Sequence, residues 1–119
     1  MDARIKVVCF HLESEPGSRF EIADLSQSVN LSSSRFRHLF KTETGQTLSQ
    51  YLKGVRIDRA RLLLSTTFLS VKEIMHHVGV ASYSHFARDF RDACGESPSQ
   101  YRAHLQERQS FSISANSEE

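Results

Sequence analysis

Residues 25–51 read LSQSVNLSSSRFRHLFKTETGQTLSQY, and residues 74–101 read IMHHVGVASYSHFARDFRDACGESPSQY. Laid over one another, with one extra residue in the second just after its turn, they are two copies of one pattern. Val29 falls on Val78, Phe36 on Phe86, Phe40 on Phe90 and Gly45 on Gly95, and Ser49-Gln50-Tyr51 falls on Ser99-Gln100-Tyr101. A period of about 50 residues can signal a solenoid, but solenoids need about three copies or more. Two copies of short helix, tight turn and longer helix are instead two helix-turn-helix units. Asn30 and Gly79 stand at the turns, where a left-handed residue is wanted.

Working outward, the same kinds of signal place the other helices. Ile5, Val8, Cys9 and Leu12 repeat at helical spacing and predict an amphipathic helix over residues 3–13. Pro16 and Gly17 break it. Ile22, Leu25, Ser26 and Val29 predict the inward side of a short second helix. Ser32 is expected to cap a helix that stops at Gly45. Thr47 and Gln50 form a capping-box pair and open a long helix. Its apolar positions, Leu48, Tyr51, Leu52, Val55, Ile57, Ala60, Leu63 and Leu64, form a stripe too broad for one wet side, as in a connector between two bundles. Gly54 in its interior has no evident reason and costs about 1 kcal/mol against Ala. Ser70 with Glu73, Ser82, and Ser97-Pro98 with Gln100 open the remaining helices. The chain therefore reads as all-α, with about seven helices by these signals. The expected parts are a first subdomain over 1–45, a linker helix over 46–65, a second subdomain over 66–108 and a flexible tail over 109–119.

The longer helix of each unit has a distinctive outward side. At about 100° per residue, Phe36, Leu39 and Phe40 cluster, and Ser34, Arg37, His38 and Lys41 fall opposite. In the second copy Phe86, Phe90 and Ala93 are expected inward, with Ser84, Arg88 and Arg91 outward. Both outward sides read as basic and hydrogen-bonding, without acids or large apolar groups. A DNA major groove admits one α-helix and presents acceptors on guanine and a mixed pattern on adenine. Arg, Ser and His can read those patterns. Lys41, Arg91 and the helix start at Ser32 are candidates for phosphate contact, which positions without specifying, and Lys72 and Arg102 are weaker ones.

Composition agrees. The 119 residues are 39% hydrophobic and 24% charged, which is globular material of one ordinary domain or two very small ones. Net charge is only +1, but acids gather at the ends (Asp2, Glu13, Glu15, Glu118, Glu119) and leave the middle mildly basic. No apolar run approaches a membrane span, and no leader pattern opens the chain. Cys9 and Cys94 make no disulfide framework and suit a reduced cytoplasmic setting. The adjacent His76 and His77 point to different helix faces, and neither cysteine has zinc spacing, so no metal or other cofactor is implied. A nucleophile elbow and a phosphate-cradling glycine loop are both missing, which argues against an enzyme.

The paired pattern resembles the DNA-binding domain of the AraC/XylS family of bacterial transcription regulators. The first unit carries Asp24-Leu25, Val29-Asn30-Leu31-Ser32, and Phe36 through Leu39-Phe40-Lys41 to Gly45. The linker carries Tyr51-Leu52, Arg56-Ile57, Ala60 and Leu63-Leu64. The second unit is the most diagnostic: Val71-Lys72-Glu73-Ile74, Val78-Gly79-Val80, Ser82 through Phe86, Phe90-Arg91, Gly95, Ser97-Pro98 and Tyr101-Arg102. The resemblance implies seven helices, two recognition helices in adjacent major-groove segments, and base contacts at Ser34, Arg37, His38, Ser84, His85 and Arg88. His85 lies toward the side of its helix face. The resemblance also implies double-stranded DNA as partner, RNA polymerase as a further one, a bacterial cytoplasmic setting, and a larger regulator whose effector-binding or dimerising domain lies outside this chain. Ser26 and Met75 depart from the small Ala the family often has there. Asp89 replaces an apolar residue, and it either stays in water or pairs with Arg56 or Arg59. The competing reading is a protein-interaction module with weak DNA binding, which mixed charge on the outward faces would favour.

Overall fold

Hydroxyl caps, left-handed stops and one proline set the helix boundaries. The computed structural model describes residues 1–117, with side chains described as far as residue 107. Its helices are α1 (Ala3–Ser14), α2 (Ile22–Ser28), α3 (Ser33–Thr44), α4 (Leu48–Thr66), α5 (Val71–His77), α6 (Tyr83–Cys94) and α7 (Pro98–Ser117), with no strand among the described residues. Ser32, Ser70 and Ser82 each accept the N–H three residues on, at 3.2, 3.1 and 3.4 Å. Thr47 with Gln50 and Ser97 with Gln100 form reciprocal boxes at 3.0 and 3.2 Å. Each bond occupies one of the N–H groups that a helix start leaves without an intrahelical partner. Pro98 takes the first position of α7, where its missing N–H costs nothing. Gly45 and Gly95 close α3 and α6 at φ 76° and 81°.

The chain divides into two compact units, Met1–Asp58 and Arg59–Glu119, and the division falls inside α4. In the first unit, Ile5, Val8, Cys9 and Leu12 of α1 meet Leu25 of α2 and Phe36 and Phe40 of α3. Tyr51 packs edge-on to Phe40 at 5.4 Å, and its hydroxyl donates to Glu13 at 2.6 Å. Burial and that carboxylate push the Tyr51 phenol well above its ordinary range, and burial pushes the Cys9 thiol up. In the second unit Ala60 and Leu64 of α4, Ile74, Met75 and Val78, and Phe86 and Phe90 are buried. Phe90 meets Tyr101 edge-on at 5.5 Å, so the repeat extends to the aromatic contacts.

The turns repeat as well. Leu31 N–H donates to Ser26 C=O at 2.9 Å and Val80 N–H to Met75 C=O at 3.1 Å. Asn30 (φ 59°) and Gly79 (φ 81°) adopt the left-handed conformation between the helices. Ser26 is buried, and its hydroxyl donates to Ala23 C=O at 3.1 Å, which satisfies it inside the core. Met75 is also buried, so the second core accepts the larger side chain.

Two expectations change. Ala93 is exposed, and Cys94 is the half-buried residue of that last turn. The inward stripe of α6 therefore ends one residue later than strict helical spacing predicts. α7 continues through Ser117 where a tail is expected from Gln109, and no Gly or Pro interrupts it after Pro98. The last two residues of that expected tail, and all of its side chains, lie outside the described residues.

Candidate nucleic-acid interface

The buried phenylalanines fix which side of each longer helix stays outside. Phe36 and Phe40 have no exposed surface, and Phe86 and Phe90 have at most 1%. With those four held inward, Ser34, Arg37, His38 and Lys41 on α3 are exposed, and so are Ser84, His85, Arg88 and Arg91 on α6. Every base-contact candidate is thus solvent-facing on a helix of twelve residues closed by a cap and a glycine. Ser32 accepts from Arg35 N–H, and its own hydroxyl proton stays available to a phosphate oxygen. Lys72 is exposed in the first turn of α5.

The two outward sides are related but not identical. α3 and α6 have the same length and align position for position, so His38 stands where Arg88 does, Arg35 where His85 does, and Arg37 where Ala87 does. The candidate arginines of the two helices, Arg37 and Arg88, therefore sit at different places in their frames. Arg88 Nε lies 3.8 Å from Asp89 Oδ1 on its own helix. Arg88 is exposed and Asp89 half-buried, so the pair is partly in water and contributes little. The outward side of α6 is also less purely basic than expected: Asp92 is exposed one turn after Arg88.

Two neighbours were missed by the helical-wheel reading. Arg35 is exposed in the first turn of α3. Tyr83 opens α6 and is 51% exposed. Its absence from the inward stripe was the available signal. A ring so placed offers both an apolar edge and a hydroxyl to a groove.

Arg102 has another engagement. Its Nε, Nη1 and Nη2 donate to the carbonyls of Leu64, Leu69 and Thr67 at 3.3, 2.6 and 3.3 Å. This ties α7 to the end of α4 and the loop before α5, so the side chain is occupied as an internal clamp. Arg56 does the same in the first unit, donating to Pro16 C=O at 2.9 Å and Ser18 C=O at 3.2 Å ahead of α2. Burial lowers its pKa from the ordinary guanidinium range. Each unit thus has an arginine from a later helix holding the loop that leads into its short helix. His76 and His77 are exposed on α5, and no group of three or more metal-binding side chains occurs among the described residues. No helix among those residues is long and apolar enough to cross a membrane.

A helix-turn-helix domain model matches residues 25–104. The arabinose operon regulatory protein of Escherichia coli K12 is 36% identical over 109 residues, covering 91% of this chain. The chain spans 37% of the length of that relative. Among solved structures, the DNA-binding domain of AdpA in complex with a target DNA has a TM-score of 0.80 at 30% identity, covering 91% of this chain and 96% of that one. A probable AraC family transcriptional regulator from Rhodopseudomonas palustris has a TM-score of 0.79 at 26% identity, covering 87% and 98%.

Proposed function

The chain belongs to the AraC/XylS family of transcription regulators and has the fold of its DNA-binding domain, and on that premise we propose that it reads double-stranded DNA by sequence through α3 and α6. The observation that carries this is the pair of exposed faces, each held outward by two buried phenylalanines and framed by a cap and a left-handed glycine. Arg37, His38 and Ser34 read one box in the major groove, and Arg88, Ser84 and His85 read another. Arg35 and Tyr83 join them at the edges. Ser32, Lys41, Arg91 and Lys72 take phosphates and fix register. Arg102 is left out of that set because its guanidinium is engaged inside its own unit.

The boxes differ in sequence because the outward residues differ at equivalent positions. In its full setting the chain is the DNA-binding part of a longer bacterial regulator that acts in the cytoplasm and works with RNA polymerase. The short span of the chain against its relative supports the part of that reading that concerns a longer regulator. Selection from a random duplex library at near-physiological salt tests it. Enrichment of one site with two unlike boxes is the expected outcome. Enrichment of nothing, with only weak binding that salt abolishes, would transfer the function to protein contacts.

A further inference from the structure

Between α3 and the starts of α2 and α4 lies a groove of about 800 Å³. That is within the range of about 300–1,000 Å³ typical of small-molecule sites. Its apolar part is Ile22 and Leu48, both partly buried against the first core. Its polar wall is Arg37, His38 and Lys41, with Thr42 beside them. None of the described residues lining it is acidic. A ligand that satisfies both parts needs a negative head and an apolar body. A bare phosphate would leave Ile22 and Leu48 in contact with its hydration shell and gain nothing from them.

The internal repeat supplies a comparison. At the positions of the second unit equivalent to Arg37, Thr42 and Leu48 stand Ala87, Asp92 and Pro98. The arginine has moved from the Arg37 position to that of His38, where Arg88 stands, a carboxylate has arrived, and the apolar residue is closed into the core, since Pro98 is fully buried. The duplicated fold alone therefore does not produce this chemistry; the side chains of the first unit do.

We propose that the groove binds a small amphipathic anion, an aromatic or medium-chain carboxylate. Its apolar body lies on Ile22 and Leu48, and its carboxylate lies among Arg37, His38 and Lys41. Arg37 and His38 are also base-reading candidates, so an occupied groove and a DNA-bound α3 exclude one another. That last consequence, unlike the binding itself, rests on the DNA-reading function above.

The test is a titration of the ¹⁵N-labelled full chain with naphthalene-2-carboxylate, followed by amide shifts. The expected result is saturable movement at Ile22, Thr42 and Leu48, with the amides of α6 still. Thr42→Asp imports the carboxylate of the second unit at an exposed site, and Lys41→Gln removes a cation. Each is expected to weaken the probe about tenfold, the scale of one charge-assisted hydrogen bond. Absence of saturation, equal shifts in both units, or equally tight binding of the neutral 2-naphthalenemethanol would overturn the proposal. So would inorganic phosphate moving the same amides while the carboxylate does not, because the groove would then be a seat for the duplex backbone. Duplex affinity is measured on the same sample without probe. A silent groove with intact duplex binding defeats only this inference, and a saturable groove without duplex binding defeats only the DNA reading.

Discussion

At the scale of single residues, what a cation touches in the free chain separates three roles that one sequence letter conceals. Arg37 and Arg88 point outward. Replacing either by Ala is expected to cost about 1–3 kcal/mol at one base pair and to relax preference there, leaving other positions unchanged. A binding matrix over single-base variants measures it. Lys41→Ala is expected to weaken all duplexes alike and to lower the slope of log affinity against log salt by about 1. Arg102 belongs to neither class. Arg102→Ala strips partners from three carbonyls and is expected to destabilise the fold by about 1–3 kcal/mol while leaving base preference intact. Thermal melting beside the same binding matrix distinguishes the two effects. The sequence could not reveal that clamp. Its carbonyl partners lie 33 to 38 residues away, and a backbone carbonyl leaves no mark on the sequence.

Helix ends were legible for the opposite reason: a cap is a local bargain between residues three apart. Ser32, Thr47, Ser70, Ser82 and Ser97 each cap the helix their spacing predicted. The inward stripes were legible too, except at Ala93, where the position of the covering surface decided and spacing did not. Two predictions belong to this scale. Gly54 sits on an exposed turn of α4, and a Cβ built there meets nothing within 4 Å. Gly54→Ala is therefore expected to stabilise the chain by about 1 kcal/mol, seen as a higher denaturant midpoint with an unchanged slope. The second concerns acid. Of the three boxes, only that of α5 uses a titrating residue, and the Ser70 N–H and hydroxyl hold the Glu73 carboxyl below its ordinary range. A depressed folded pKa gives stability that is present above the unfolded value and is lost as pH falls through the folded one. Unfolding scans taken downward from about pH 5 are expected to show that loss. Glu73→Gln, which keeps the acceptor and removes the titration, is expected to flatten it.

For the molecule as a whole, the repeat was the decisive and readable signal, because burial constrains the same positions twice. Phe36 with Phe40 and Phe86 with Phe90 pack at 5.9 and 6.1 Å, and each pair continues to a tyrosine at the same register. Surface chemistry is not constrained in that way. Asp92, Tyr83 and Arg35 escaped a reading organised around the stripe, and the groove beside α3 is formed by residues from three separate helices. The caps and glycine stops that bracket α3 and α6 make each reader an interchangeable cassette. Its outward letters can be rewritten without touching what holds it in place. Copying the lettering of α6 onto α3, as Ser33→Tyr, Arg35→His, Arg37→Ala and His38→Arg, should leave melting nearly unchanged. It should also convert a chain that recognises two different words into one that recognises a single word written twice.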